Sequence, residues 1–357
     1  MATHPRPGVI LDGFRCYGDD VVEINEPLGF STVERVAMLG RPWLAYRLVL
    51  RLLVRWASLI RRSRLERGVR FDAVIVGYLG QFDVVLARLL YRRSRIVLDL
   101  MIFAVDTARD RGTSRGLKLR VLAALDGLAV HCADVVVLDT EEQLELLPER
   151  ARHKTVIVPV GASADWFAAA DNGAPRASPG LLSVVFFGVY TPLQGAVVIG
   201  QALARLAERR DITVTMIGSG QDYPATREAA QANTQITWLE WLEAEDLVRL
   251  VAAHDVCLGI FGDSPKAQRV VPNKVFQGAA AGCAIVTSDT APQRRMLDEA
   301  ALYVPPGDPA ALADALTALA ADAARTAALQ AAARSMAGAR FSAESVAGPL
   351  RERLLGG

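Results

Sequence analysis

Residues 256–289 read Val256-Cys-Leu-Gly-Ile-Phe-Gly262, Asp263-Ser-Pro-Lys266-Ala-Gln-Arg269-Val-Val-Pro272-Asn273-Lys274-Val-Phe-Gln277 and Gly278-Ala-Ala-Ala-Gly282-Cys-Ala-Ile-Val-Thr-Ser-Asp289. An apolar run leads into a loop with three cations, then into a run of small residues and a second apolar run. This order predicts strand, loop, helix and strand, with the helix beginning near Pro272. A strand end that meets a helix start is a common anion site in α/β sheets. We therefore predict a diphosphate site contacted by Lys266, Arg269 and Lys274. Lys274 is the strongest indication, because a cation in the first turn of a helix is disfavoured unless an anion shares the site.

Length and composition bound the class of protein. A chain of 357 residues favours two domains, and 52% hydrophobic residues with a net charge of +1 argue against a broad nucleic-acid-binding surface. Four cysteines lie far apart without a CxxC pair, so neither a disulfide scaffold nor a zinc site is predicted. The sequence lacks the order of a signal peptide and a long uninterrupted apolar run. We expect a cytoplasmic protein, with association at the inner face of a membrane as an option.

The first half predicts an α/β domain over residues 1–165. Apolar runs at 71–78, 94–99, 134–138 and 154–158 are separated by helical segments at 82–91, 114–130 and 141–150, which indicates a parallel sheet. The domain opens with a helix at 5–18 and a short strand at 21–24. No strand precedes that helix, so either the native start lies upstream of Met1, which we favour, or this domain has lost its first strand.

A helical segment at 41–70 is rich in arginine. Arg47, Arg51 and Arg55 recur every four residues and fall on one face, opposite tryptophan and leucine side chains. This pattern suits an anionic membrane surface. A core-packed helix whose arginines are solvated or bind acidic groups explains it equally well.

Polar residues follow the strand at 94–99. Asp106, Asp110 and Arg111 could orient a hydroxyl-bearing substrate, because a carboxylate at a strand end can accept the proton of an attacking alcohol. A salt-bridge network within the loop is the alternative. His131 is a weaker candidate for the same crevice.

The second half predicts a linker at 166–180 and a second domain at 181–338. Strands at 182–188, 212–217, 235–238, 255–260, 284–287 and 301–304 alternate with helices, and a helical stretch follows at 309–336. Residues 339–357 form a terminal helix, capped by Ser342, that is expected to return to the first domain. The predicted fold class is α/β, with two Rossmann-like doubly wound domains facing a central cleft.

Two glycine loops of the second domain could hold phosphate through backbone amides. One reads Phe187-Gly188-Val189-Tyr190-Thr191-Pro192-Leu193-Gln194-Gly195, and the other reads Ile217-Gly218-Ser219-Gly220. The first lacks the dinucleotide GxGxxG spacing. A plain turn is the more common use of the second.

A family resemblance rests on five stretches in one order. They are the two glycine loops, Trp238-Leu-Glu-Trp241, Ala253-His-Asp255-Val-Cys-Leu-Gly-Ile260 and Val271-Pro-Asn-Lys274-Val-Phe-Gln277 followed by Ala-Gly282. Together they resemble glycosyltransferases of family 4 type, and the first half is similar more loosely through 77–83 and 99–111. The resemblance implies a GT-B fold, a nucleotide-diphosphate sugar donor, no metal or cofactor, and retention of anomeric configuration.

The resemblance also implies roles for individual residues. Lys274 and Arg269 would neutralise the diphosphate leaving group, the backbone of Val189 would cover it, and Gln277 would meet the ribose. Gly188, Gly218, Gly220, Trp238, Lys266 and Asn273 would complete the donor site. The acceptor hydroxyl would enter beside Asp106.

This chain departs from the family pattern in three places. Arg269 and Gln277 occupy the positions of two glutamates that such families place eight residues apart, and Gln194 stands where a basic residue is common. The resulting hypothesis is transfer of a sugar to a hydroxyl of a glycan, a lipid-linked molecule or a small molecule, with positive charge placed where negative charge develops. The alternatives are a catalytically silent partner subunit and a nucleotide-sugar 2-epimerase, which would need more cleft carboxylates and histidines.

Overall fold

The computed structural model describes residues 5–26, 45–65, 68–110, 112, 116–171 and 180–356. These residues form two α/β domains, each built on a parallel sheet.

The N-terminal domain contains a four-stranded sheet. Its elements are α1 (Pro5–Cys16), α2 (Ala45–Leu65), β1 (Ala73–Val76), α3 (Asp83–Leu90), β2 (Arg95–Asp99), α4 (Ala104–Asp110), α5 (Leu117–Cys132), β3 (Val135–Leu138), α6 (Glu149–Arg152) and β4 (Thr155–Ile157). The strands lie in the order β1-β2-β3-β4, and every pair is parallel. Their carboxyl ends therefore meet along one edge.

The C-terminal domain contains a six-stranded sheet. Its elements begin with α7 (Ala164–Asp171), β5 (Leu182–Phe187), α8 (Ala196–Arg205), β6 (Ile212–Ile217), α9 (Tyr223–Ala229), β7 (Ile236–Leu239), α10 (Ala244–Ala252) and β8 (Val256–Leu258). They continue with α11 (Asn273–Ala280), β9 (Ala284–Ser288), α12 (Ala291–Leu297), β10 (Ala301–Val304), α13 (Pro309–Ala321), α14 (Ala323–Arg340) and α15 (Ala343–Leu355). The strand order β10-β9-β8-β5-β6-β7 is that of a doubly wound sheet with its switch point between β5 and β8.

The central strands explain why the secondary structure of the second domain can be predicted from its sequence. All residues of β5, β8 and β9 are buried, since helices cover both faces of the sheet. A strand buried on both faces needs a continuous apolar run, which is the pattern that the sequence shows.

The chain crosses between the domains twice, at neighbouring positions. The first crossing follows β4, and the second joins α14, which packs on the C-terminal domain, to α15, which packs on α1. The backbone N–H of Ala162 in the first crossing donates to the carbonyl of Phe341 in the second (2.9 Å). The Phe341 ring is fully buried and packs edge-on against Phe276 of α11, with 4.8 Å between ring centroids.

Several predicted elements differ from the structure. Residues 21–24 have no regular secondary structure, and the predicted helix at 141–150 is a 3-10 helix (Glu141–Leu146) followed by α6. Residues 166–171 belong to α7 instead of the predicted linker, because Trp166 is buried and stacks on Phe187 with centroids 5.8 Å apart. Residues 172–179 lie outside the described part. The helical stretch after 309 is two helices separated at Asp322, whose carboxylate accepts from the N–H of Arg325 and so starts α14.

In the described part of the chain, none of the helices is both long enough and apolar enough to cross a membrane.

Candidate functional site

The two glycine loops of the C-terminal domain pack backbone to backbone at the carboxyl edge of the sheet. The N–H of Tyr190 donates to the carbonyl of Ser219 (3.0 Å), and a Cβ on Gly218 would lie 1.9 Å from the carbonyl oxygen of Gly188. A Cβ on Gly220 would meet the backbone of Tyr190 at 2.4 Å. Gly218 and Gly220 therefore have a packing role that is independent of any ligand, because a larger side chain would separate the loops.

Gly188 faces the side chain of Lys274. A Cβ at Gly188 would lie 3.3 Å from Lys274 Nζ, so the absence of a side chain leaves room for the ammonium. Val189, the next residue, is 52% exposed and borders the same place. The first glycine loop and the start of α11 thus form one surface around the Lys274 ammonium.

Lys274 is a buried cation that contacts an amide oxygen and an aromatic ring. The residue is 4% exposed, its Nζ donates to Gln194 Oε1, and it lies 3.7 Å from the centre of the Phe186 ring. Among the described residues, no carboxylate lies within ion-pair distance of it. Burial lowers the pKa of Lys274 from 10.5 to about 7. A buried ammonium without a counter-ion is energetically costly, so this position favours an anionic ligand.

The start of α11 adds backbone and side-chain donors to this surface. Pro272 precedes the helix, its first turn has no acidic residue, and no side chain caps it. Asn273 and Gln277 are separated by four residues, so they lie on one face of α11, and both are partly exposed. The N–H groups of this turn and these amide side chains can bind a negatively charged, hydroxyl-bearing ligand.

The other two predicted cations contact the N-terminal domain. Arg269 forms an ion pair with Asp106 of α4 (2.6 Å), and the backbone carbonyl of Arg269 accepts from Thr140 Oγ1 (2.5 Å). Lys266 Nζ donates to Thr107 Oγ1 (2.9 Å). The predicted convergence of three cations on one diphosphate is therefore not what the structure shows. Lys274 lies against the glycine loop, whereas Arg269 and Lys266 join the two domains.

The loop after β8 is bound along the length of α4. Ser264 Oγ donates to Asp110 Oδ1 (2.9 Å), which adds to the contacts of Asp106 and Thr107. The sequence predicted that Asp106 acts on the acceptor and Arg269 on the leaving group. In the structure the two side chains, 14% and 18% exposed, neutralise each other. The polar stretch, for which the sequence left a loop network as an alternative, is a short helix whose first N–H groups, of Ala104 and Val105, donate to the Asp126 carboxylate (3.1 Å each).

Three further sequence candidates have other surroundings. His131 is exposed near the end of α5, before the amino end of β3, so it does not line the carboxyl edge. Trp238 packs edge-on against Tyr223, with centroids 5.8 Å apart, and stacks with the Arg227 guanidinium. Trp241, just beyond β7, is the more exposed ring at 67%. Arg111 lies outside the described residues.

A buried charged cluster at the carboxyl edge of the N-terminal sheet was not predicted. Asp99 ends β2 and Asp139 follows β3, and both are less than 5% exposed. Arg6 of α1 is fully buried, with its Nε 3.5 Å from Asp99 Oδ1 and a donated bond to the Leu138 carbonyl (3.3 Å). In the part of the chain that the structure describes, Asp139 Oδ1 accepts no hydrogen bond. This oxygen is buried and leaves a hydrogen-bonding capacity unused at the carboxyl edge of the N-terminal sheet.

Burial controls the charge state of this cluster. It raises the pKa of Asp139 to about 6, although the nearby Arg6 guanidinium opposes the shift. Burial also raises the pKa of Asp99, again against the effect of Arg6. A sequence signal was present, because Ile96-Val-Leu-Asp99 and Val136-Val-Leu-Asp139 end neighbouring parallel strands with the same residue. Within the described segments, no group of His, Cys, Asp and Glu side chains is arranged to hold a metal ion.

Comparison with known proteins gives the class of the second domain. Residues 182–322 match the family model described as Glycosyl transferases group 1. The match extends from β5 to the end of α13 and includes both glycine loops and Lys274. A comparison with curated proteins finds no significant match.

Solved structures with the same two-domain architecture include several glycosyltransferases. The sucrose-phosphate synthase of Thermosynechococcus elongatus aligns with a TM-score of 0.68 at 15% identity, over 97% of this chain and 92% of the other. HepE of Anabaena, solved in complex with UDP, aligns with a TM-score of 0.63 at 16% identity, over 84% and 82% of the two chains. An α,α-trehalose-phosphate synthase of Burkholderia vietnamiensis aligns with a TM-score of 0.60 at 18% identity, over 86% and 77%. The predicted GT-B fold is confirmed, and with the family-model match it supports a glycosyltransferase.

Proposed function

We propose that the protein transfers a sugar from a nucleotide-diphosphate sugar to an acceptor hydroxyl. The observation that carries this proposal is the Lys274 ammonium, which is buried beside Gly188 at the start of α11 and has no carboxylate partner among the described residues. A diphosphate bound there would provide the missing negative charge and would accept from the first-turn N–H groups. HepE has been solved with UDP and with UDP-glucose, which supports a uridine nucleotide as the first donor to test.

The remaining donor contacts follow from the geometry around Lys274. We assign the diphosphate to the space between the Gly188-Val189 backbone and α11, and the ribose to Asn273 and Gln277. Trp241 is the better candidate for contact with the base, because the ring of Trp238 is already packed in the protein. We assign Arg269 to the contact between the two domains, because its guanidinium is paired with Asp106.

The chemistry that we propose needs charge stabilisation more than a nucleophile. As the bond between the sugar and the diphosphate breaks, negative charge grows on the leaving oxygen, and a protonated Lys274 stabilises it. Retention of configuration and independence from a metal ion are part of the proposal, since a lysine can supply the charge that a divalent ion would supply. We assign the acceptor hydroxyl to the side of Asp139 in preference to Asp106, because Asp106 is paired with Arg269.

Nucleotide-dependent thermal stability tests the donor site. UDP and UDP-glucose are expected to raise the melting temperature of wild type but not of Lys274→Met, and GDP and TDP serve to rank the bases. Lys154→Met is the matched control, because Lys154 Nζ is bound to the carbonyls of Val130 and Ala133 in the other domain. Absence of a shift with every nucleoside diphosphate would refute the donor site.

A catalytically silent nucleotide-binding subunit is the second candidate. It is favoured by Arg269, which stands at a position where the family pattern has a glutamate and is held by Asp106. Slow hydrolysis of a nucleotide sugar distinguishes the two functions, because a silent subunit would show the thermal shift without releasing sugar.

A further inference from the structure

Helix α2 exposes a stripe of apolar side chains. Tyr46, Leu50, Leu53 and Val54 are between 53% and 65% exposed. Their spacing of three and four residues places them on one face of the helix. Single exposed apolar residues are common, but a contiguous stripe marks an interaction surface.

The rest of α2 turns toward the protein and combines polar contacts with the partly buried apolar side chains of Leu52, Trp56 and Leu59. Arg55 forms an ion pair with Glu26 (3.5 Å), and Ser58 Oγ donates to the same carboxylate (2.9 Å). Trp56 Nε1 donates to Asp83 Oδ1 (2.8 Å). A surface helix of a globular protein normally keeps its apolar side chains on the inward face, so the exposed apolar stripe of α2 is additional to its packing face. The arginine stripe suggested by the sequence therefore does not face outward at Arg55, and the side chain of Arg47 lies outside the described part.

Positive charge surrounds the carboxyl end of the apolar stripe. Arg61 and Arg64 are exposed on the last turns of α2, Arg70 is exposed shortly after it, and Arg92 and Arg93 are exposed next to Tyr91, which lines the same groove as Arg64. Residues 41–70 contain nine arginines and one glutamate, whereas the whole chain has a net charge of only +1. The charge is thus concentrated beside the apolar stripe.

A groove of about 340 Å³ borders this surface, and its mixed lining includes Ile60, Ser63, Arg64, Val69 and Leu89. Leu89 is 56% exposed and Val69 is 51% exposed. The groove joins the carboxyl end of α2 to α3 and places the Arg64 guanidinium beside apolar side chains.

We propose that the α2 surface, defined by Tyr46, Leu50, Leu53, Val54, Arg61 and Arg64, binds an anionic lipid bilayer. The helix would lie in the plane of the interface, with its apolar side chains among the acyl chains and its guanidinium groups on lipid phosphates. A spanning orientation is disfavoured because arginines recur along the whole helix. The surplus of positive charge complements an anionic lipid surface, and this inference does not depend on the proposed glycosyl transfer.

Sedimentation with vesicles tests the proposal on the full chain. Wild type is expected to bind vesicles of phosphatidylcholine and phosphatidylglycerol in equal parts, and to bind phosphatidylcholine alone much more weakly. Leu50→Gln/Val54→Gln should lower the partition coefficient on the order of tenfold, since two exposed aliphatic side chains no longer enter the bilayer. The matched control is Leu117→Gln/Val121→Gln on α5, which has the same residue types, the same spacing and exposures of 76% and 58%.

A second pair of variants tests the charge contribution. Arg61→Glu/Arg64→Glu should abolish the preference for phosphatidylglycerol, whereas Arg150→Glu/Arg152→Glu, exposed on α6, should retain it. The proposal is overturned if wild type does not bind the anionic vesicles, or if the two apolar pairs lose binding equally. It is also overturned if Leu50→Gln/Val54→Gln converts a dimer to a monomer in sedimentation velocity while no variant binds vesicles, since the surface would then join two copies of this chain. Equal melting temperatures of all variants exclude unfolding as the cause.

Discussion

Replacement of Lys274 by methionine is expected to stabilise the ligand-free protein. Methionine is close to lysine in length and is suited to an apolar site, so the cavity stays filled. The variant loses the hydrogen bond to Gln194 and the contact with the Phe186 ring. These two losses together cost about 1–2 kcal/mol.

The opposing gain in folding stability follows from the pKa of Lys274. Burial lowers this pKa from 10.5 to about 7, which corresponds to about 5 kcal/mol against the charged form in the empty site. Between these two values the unfolded chain binds more protons than the folded chain, so the stability of wild type rises with pH over this window. Methionine does not titrate. Lys274→Met should therefore be more stable than wild type by about 3 kcal/mol near pH 6, and the difference should disappear as the pH approaches 10.

Urea unfolding without nucleotide, near pH 6 and near pH 9, measures this difference. Lys154→Met provides the contrast, because Lys154 Nζ donates to the carbonyls of Val130 (2.5 Å) and Ala133 (2.6 Å), and these acceptors lose their donor. That control should be less stable than wild type. If Lys274→Met is also less stable near pH 6, the ammonium is satisfied by the protein alone, and the argument for an anion site is wrong.

Two other perturbations address the domain contacts and the N-terminal cluster. Asp106→Asn removes the ion pair with Arg269, so the radius of gyration measured by solution scattering should increase. The exchange Asp106→Arg/Arg269→Asp should reverse that increase. Superimposable scattering curves of wild type and Asp106→Asn would show that the pair does not hold the domains together. Asp139→Asn should stabilise the protein near pH 8 by up to about 3 kcal/mol and have little effect near pH 4. The reason is that the folded Asp139 carboxyl, with its pKa raised to about 6, keeps a proton that the unfolded chain has lost, so wild-type stability falls as the pH rises from about 4 to 6. A difference in denaturant midpoint that is the same at both pH values would contradict this explanation.

The C-terminal sheet was predictable because burial on both faces leaves a local signal. The strands predicted at 212–217 and 301–304 have the same bounds as β6 and β10, and the helix predicted at 272–281 differs from α11 by one residue at each end. Runs of β-branched and apolar residues between glycine and proline identify such strands without tertiary information. It was the family resemblance that implied a shared donor site for the first glycine loop and Lys274 of α11.

The partners of the charged residues were less predictable, because they depend on contacts between distant parts of the chain. The pairing of Arg269 with Asp106 joins residues 163 positions apart, and the bond from Arg6 to Leu138 spans 132. Sequence spacing predicts which side chains share a helix face, but it carries no information on which domain binds them. The sequence left two interpretations of the helix at 41–70 open, and the ion pair of Arg55 with Glu26 agrees with the one in which arginines bind acidic groups.

The adjacent crossings between the domains restrict how the cleft can open. The Ala162–Phe341 hydrogen bond joins both crossings. A rotation of one domain that separates α4 from the loop at 263–270 can therefore pivot at this hydrogen bond without breaking it. Phe276, two residues beyond Lys274 on α11, packs on Phe341 at the same pivot. We therefore expect opening to change access to the Lys274 ammonium while its contacts with Gln194 and Phe186 stay fixed, so that the binding surface is already formed before a ligand arrives.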